Sequence, residues 1–316
     1  MKKRNKITVP YEQATGELSY GLTNDYMFRA LFQTSELARK GLIASVLHMN
    51  PNQIQSVDIR NPIKLGEKIE DKEFVLDIEV LLNNNHIINL EMQMTDQLNW
   101  QDRSLSYLCR SFDQLYKGDD YSEAKPATHI GFLNFTPFPD KPEFHACYML
   151  LNLKNHHIYS DKLSLHMVDL THIELATEED KAWKIDYWAR LFTAKTWEDI
   201  KMITENNIHM EAAAKEMYVL SADELIQQRC RARDDFRKLE NSRNRIMKEL
   251  TEALEVQKQE IEDKDKEIED KDKEIEDKDR VLESQKQEIK DKDRALEIQK
   301  QEIELLKQQL AALSKN

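Results

Sequence analysis

The chain has 316 residues, 40% hydrophobic and 33% charged, with 46 basic and 59 acidic side chains and a net charge of −13. The apolar content supports a sizeable core, and the acidic balance argues against binding nucleic acid by overall charge alone. Three cysteines with no Cys-x-x-Cys spacing argue against a disulfide framework or zinc knuckle and for a reducing compartment.

The charge excess is concentrated at one end. Residues 251–316 hold 21 acids and 14 bases, so 38 of the 59 acids and 32 of the 46 bases fall in the first 250 residues. The N-terminus, MKKRNKITVPYEQ, is basic but lacks an apolar run behind it, so it does not read as a signal peptide. No apolar run reaches the ~18 residues of a membrane span. The expectation is a cytoplasmic protein without membrane contact. Residues 1–20 are polar and read as a disordered or loosely attached tail.

From LTNDYMFRALF the pattern is helical, with Thr23 or Asn24 able to cap and Met27, Phe28, Leu31 and Phe32 on one face. A second helix runs through Leu37, Leu42, Ile43, Val46 and Leu47 and ends at Asn50-Pro51. Residues 54–60 read as a short strand. Two stronger strands follow at about 73–82 and 86–94, separated by Asn83-Asn84-Asn85. Leu98, Leu105, Leu108, Phe112 and Leu115 form a helical stripe closed by Gly118. THIGFLNF (128–135) is apolar on both faces, as in a central strand, and FHACYMLL and LSLHMVDL add further strands. From 178 to about 250 the pattern is helical again. This order predicts an α/β fold: a mixed sheet flanked by helices on both faces.

The hairpin over 74–94 carries an anomaly. FVLDIEVLLNNNHIINLEMQM sets Asp77, Glu79, Glu91 and Gln93 among Val, Ile, Leu and Met. A three-residue turn at Asn83–Asn85 pairs Leu82 with His86 and puts Asp77 opposite Glu91. All four polar residues then share one face, and Leu76, Ile78, Leu90, Met92 and Met94 take the other. Opposed like charges destabilise a sheet. A divalent cation held by both carboxylates would offset the repulsion; the bland alternative is a solvated face with scattered acids.

Asp77 followed by Glu91-Met92-Gln93 resembles the D…(D/E)-x-K signature of the PD-(D/E)xK nuclease superfamily, in an E-x-Q variant. With LTNDYMFRALF, the block from Trp100 to Phe135 and YSDKLSLHMVDL, residues 20–195 resemble the Rpn-type recombination-promoting nucleases, which are transposase-like. The resemblance implies a restriction-endonuclease-like core and Mg²⁺- or Mn²⁺-dependent DNA cleavage. It assigns Asp77 and Glu91 as metal ligands, the Met92 backbone carbonyl as a further oxygen, and Gln93 to the position usually held by lysine. Glutamine supplies hydrogen bonds but neither charge nor a base, so low turnover or loss of activity is an open alternative.

Other candidates keep two readings each. Arg103 and Tyr107 share a helical face and match an Arg…Tyr pattern in the family block: phosphate contacts, or a surface ion pair and a packed aromatic. Lys72 is a candidate for the DNA backbone. Asp25 is either a further acid near the metal or a charge complementing a helix N-terminus. The run Arg229, Arg231, Arg233, Arg237, Arg243 and Arg245 either meets phosphate or lies on a solvated helix.

The tail repeats EIEDKDK in tandem, and Leu254, Ile261, Ile268, Ile275, Leu282, Ile289, Leu296, Ile303 and Leu310 recur every seventh residue. A strict seven-residue period predicts a left-handed coiled coil and a homo-oligomer. Lys264, Lys271, Lys278 and Lys292 weaken the second core position until Leu306 and Leu313, so a solvated single helix is the alternative. The expected division is a tail over 1–20, a nuclease-like core over 21–175, a helical segment over 176–250 and a heptad-repeat coiled coil over 251–316. Three functions stay open: a DNA endonuclease linked to recombination or transposition, a catalytically weak nuclease-fold DNA-binding protein, and a coiled-coil structural oligomer.

Overall fold

The computed structural model of the chain describes residues 9–63, 65, 77–96 and 99–313, the last four without their side chains. The first helix, α1 (Asp25–Thr34), begins where the Asn24 side chain accepts hydrogen bonds from the amides of Tyr26 and Met27. Ser35 starts α2 (Glu36–Val46) in the same way, accepting from the Ala38 amide. Every residue of α1 from Asp25 to Phe32 is buried, so this helix lies inside the core rather than on it.

Strands β1 (Val57–Ile59), β2 (Ile78–Leu82) and β3 (His86–Gln93) form an antiparallel meander. Asn83 and Asn84 turn the β2–β3 hairpin with φ of 49° and 57°, the left-handed region that asparagine tolerates better than most residues. The expected register is observed: Leu82 lies opposite His86, Glu79 opposite Asn89 and Ile78 opposite Leu90. Residues 73–76 of the expected strand lie outside the described residues.

Strands β4 (Ala127–Leu133), β5 (His145–Leu151) and β6 (Ile158–Asp169) complete a six-stranded sheet in the order β1-β2-β3-β4-β6-β5. β3, β4 and β6 run parallel to one another, and β5 closes the edge antiparallel. The mixed sheet is thus the one expected.

Side-chain alternation splits the two faces. Ile78, Val80, Ile88, Leu90, Ile130, Phe132 and Val168 join α1, α2 and the later helices in one core. The opposite face meets α3 (Trp100–Phe112), where Trp100 packs on Leu133 and Met167. β3 is therefore covered on both sides, and the face carrying Glu91 is roofed by a helix rather than solvated.

The helices α4 (Glu178–Ala182), α5 (Ile185–Thr193), α6 (Trp197–Thr204) and α7 (Ile208–Ser221) were expected to form a segment separate from the core. They belong to it: Trp188 and Phe192 of α5 pack edge-on and tilted against Phe28, Phe32 and Phe132. The chain divides into two compact units, 1–244 and 245–316, so the boundary expected at 175 is not one.

The N-terminal expectation is corrected over 9–20. Lys201 holds the carbonyls of Glu12 and Ala14, Leu18 bonds the Lys195 carbonyl, and Tyr11 packs edge-on against Trp197 and Tyr218. Residues 1–8 lie outside the described residues. The last helix, α8, is assigned over Glu224–Leu313, and its first turns belong to the first unit.

In the second unit the apolar residues of the heptad stripe, Leu254 to Ile303, are each 50–59% exposed. Glu267 and Glu274 bind the lysines four residues on, Lys271 and Lys278, at 2.6 Å. A long charged helix is therefore present. Its pairing into a coiled coil is taken up below.

Candidate active site

The hairpin register, carried one residue past Ile78, sets Asp77 opposite Glu91 at the mouth of the sheet. Glu91 is only 3% exposed. Burial raises its pKa to about 7, and Asp77 adds to the rise while Arg103 opposes it. Asp77 is half-buried; its carboxyl is also raised by burial, against the pull of Arg29, Arg103 and Asn89. Burial thus disfavours the charged form of both carboxyls by more than the neighbouring arginines restore.

Neither Glu91 oxygen accepts a well-aligned hydrogen bond. Arg103 Nη2 lies 2.7 Å from Oε1 as an ion pair, and His129 Nε2 stands 3.6 Å from Oε2. Buried acceptors left so exposed to repulsion suit a cation. Among the described residues no cluster of three or more His, Cys, Asp and Glu side chains is arranged to hold a metal ion. An ion here would rest on two carboxylates and draw its other oxygens from backbone, water or phosphate. That donor set fits Mg²⁺ or Mn²⁺, which keep open positions, better than a closed structural site.

The structure brings Arg103 and Tyr107 to the site. Tyr107 stacks parallel to His129 with ring centroids 6.0 Å apart, and the guanidinium of Arg103 sits 5.4 Å from the Tyr107 centroid. Gln93 is half-buried at the end of β3, where its amide donates to the Thr95 carbonyl at 2.9 Å. Glu79 does not join the site; it pairs with Arg60 at 3.2 Å. Lys72 lies outside the described residues.

Asp25 occupies the first turn of α1, 6% exposed, and its charge reaches Glu91. Its Oδ2 accepts from Arg233 Nε at 2.5 Å, while Oδ1 has no hydrogen-bond partner. Burial raises its pKa against that arginine. The arginine run is therefore divided: Arg233 and Arg237, the latter bonded to the Thr23 carbonyl, face the start of α1, whereas Arg245 pairs along its own helix with Glu249.

Three contributors escaped the sequence reading. Arg29 is fully buried in α1 and donates to the Asp77 carbonyl, the Asn61 carbonyl and the Asn61 and Gln33 side chains, so it anchors the start of β2. Burial lowers its pKa to about 10. Its signal was a charge in the middle of an otherwise apolar YMFRALF run. Asn89 and His129 lie side by side on β3 and β4, and Asn89 Nδ2 donates to His129 Nδ1 at 3.0 Å. That bond leaves the proton of the neutral ring on Nε2, toward Glu91. Full burial keeps this imidazole neutral, with its pKa lowered to about 3. Their signal was of the same kind: a polar side chain within the largely apolar runs IINLEM and THIGFL.

The structure therefore combines a mixed six-stranded sheet with an Asp–Glu pair opposed at the open end of its β2–β3 hairpin. The chain belongs to the PD-(D/E)XK nuclease family transposases, whose family match covers residues 22–242. No curated protein and no solved structure shows significant similarity to it. The match takes in the first turns of α8, which carry Arg233 and Arg237. The family defines a nuclease-type function on DNA, and such nucleases typically use divalent metal ions. Among the described residues no helix is long and apolar enough to cross a membrane.

Proposed function

We propose that this chain is a Mg²⁺- or Mn²⁺-dependent DNA endonuclease of recombination or transposition, working in the cytoplasm. The observation that carries this reading is the under-compensated pair Asp77–Glu91, opposed across the hairpin beside Arg103. Asp77 and Glu91 would hold the ion, with the Met92 carbonyl as a further oxygen and Asp25 as an acid close by. A bound divalent ion supplies Lewis-acid polarisation of the phosphodiester and acidifies water. The chain's own residues do the rest. Arg29 and Asn61 fix the backbone of Asp77, Asn89 and His129 orient the groups around Glu91, and Gln93 offers its amide to water or a phosphate oxygen. Arg103 and Tyr107 contact the DNA backbone.

Incubating the protein with supercoiled plasmid and Mg²⁺ or Mn²⁺ tests the proposal. Nicking should need the ion and disappear in Asp77→Ala. Metal-independent cleavage, or full activity in that variant, defeats the assignment. A second reading, a DNA-binding protein with weak or lost catalysis, is favoured by one observation: one Gln93 N–H is already held by the Thr95 carbonyl, and the side chain carries no charge. Plasmid binding without nicking in either ion supports it.

We further infer that the heptad stripe pairs with a second copy of the chain. Its apolar residues are exposed at a seven-residue spacing that only a supercoiled partner helix can cover continuously. The expected firm end is at Ile303, Leu306, Leu310 and Leu313. Sedimentation equilibrium should give an oligomer that Leu306→Lys with Leu310→Lys dissociates. A monomer at tens of micromolar, roughly 7 kcal/mol of association, rejects the pairing and with it the structural-oligomer alternative.

A further inference from the structure

The family signature carries a lysine where this chain has Gln93, so the reaction centre lacks its strand-borne cation. Three buried or half-buried arginines lie near the carboxylates. Arg29 is fully enclosed and committed to the Asp77 and Asn61 carbonyls. Arg233 is committed to Asp25. Arg103 differs from both. Its side chain keeps 32% exposure, it stands 2.7 Å from Glu91, and its charge acts on Asp77 as well. Its Nε donates to nothing among the described residues.

We propose that Arg103, delivered by α3, supplies the positive charge at the scissile phosphate that position 93 does not. A guanidinium presents its donors as a fork. One arm can stay on Glu91 while another meets a non-bridging phosphate oxygen. In the hydrolysis the water oxygen bonds to phosphorus, the bond from phosphorus to the leaving oxygen breaks, and the water proton passes to that oxygen or to solvent. Negative charge grows on the non-bridging oxygens during this exchange, and a fixed cation beside them lowers the barrier. Successive same-face positions on a strand are about 7 Å apart, so a phosphate bound near Glu91 is within reach of a side chain from position 93 as well as from α3. The inference rests on the cleavage reading above.

The test is a charge transplant. Arg103→Gln should lower Mn²⁺-supported plasmid cleavage about a hundredfold, the usual effect of losing one preorganised donor. Adding Gln93→Lys to that variant should restore activity to within about tenfold of the parent chain. Affinity for a duplex in Ca²⁺ gives a readout independent of turnover. Its salt dependence should flatten by about one phosphate contact in Arg103→Gln and recover in the double variant. If Arg103→Gln melts early because Glu91 loses its partner, Arg103→Lys serves instead: it should keep the salt dependence and lose only part of the rate.

Undiminished cleavage in Arg103→Gln overturns the proposal and leaves the carboxylate site standing. So does a loss that Gln93→Lys fails to rescue with the salt dependence unchanged, which would make Arg103 a counter-ion of Glu91 and nothing more. A parent chain that binds duplex without cutting it defeats the cleavage reading, and the salt dependence still decides for Arg103. A parent chain that neither binds nor cuts defeats both.

Discussion

Two ion pairs of nearly equal length make opposite demands on this molecule. Glu91 and Arg103 meet at 2.7 Å beneath a helix; Glu274 and Lys278 meet at 2.6 Å on a helix in water. Side-chain exposure is 4% for Glu91 and 65% for Glu274. In the tail, solvent screens each charge and the pair settles little beyond local helix preference. At the sheet mouth, desolvation raises the cost of every unmatched charge, so the same kind of ion pair becomes sensitive to any added or missing cation. The lesson is that a carboxylate's role here follows from what covers it.

The sharpest way to break this comparison is to remove the buried anion. Glu91→Gln should cut divalent-dependent DNA cleavage by roughly a thousandfold, several kcal/mol of lost transition-state stabilisation, while far-UV dichroism stays native. Equal loss on replacing Glu274 would erase the distinction.

Burial should also show in acid. His166 is hydrogen-bonded to His145 and near the Cys147 thiol on the opposite face of the sheet, and burial lowers its pKa to about 3. The unfolded chain takes this proton near pH 6.5 and the folded chain resists, so the stabilisation present above 6.5 is lost as pH falls. Unfolding in urea at pH 4.5 should find about 3 kcal/mol less stability from this group than at pH 7, and His166→Gln should flatten that slope.

A smaller effect separates the two pairs directly. Arg103→Gln should cost the metal-free protein about 1–2 kcal/mol, discounted for the third of the side chain open to water. Lys278→Ala should leave the melting of the 1–244 unit unmoved. The smallest effect has the opposite sign. Asp77→Asn removes a like charge facing Glu91 and should stabilise the metal-free protein by up to about 1 kcal/mol, read as a small upward shift in melting.

The hairpin was legible because its period-two pattern and three-asparagine turn fix the register, and the register alone sets Asp77 against Glu91. The helical tail was legible from its seven-residue period. What stayed hidden depended on contacts distant in sequence. Nothing in the spacing of Arg29 announces that it clasps the carbonyl of Asp77, 48 positions away. Asn89 and His129 meet only because β3 and β4 run parallel in one register. The Arg233–Asp25 pair joins the far end of the first unit to its first helix, which is why a core ending near 175 looked sufficient. The N-terminal residues misled through composition: Tyr11 and Leu18 are few among polar neighbours, yet Tyr11 packs on α6 and α7 and Leu18 bonds the Lys195 carbonyl just ahead of α6.

Gly131 holds a consequence for the site without contributing a functional group. It lies beside Glu91 in the β3–β4 register, and a β-carbon built on it would fall 2.4 Å from two atoms of the Trp100 ring. Trp100 is the first residue of α3, the helix that carries Arg103 and Tyr107 one and two turns further on. The hydrogen atom at position 131 therefore sets the height of the roof. Even alanine there would push the buried Trp100 ring off its seat on the sheet, and the helix that aims the arginine at the carboxylates would lose its first anchor.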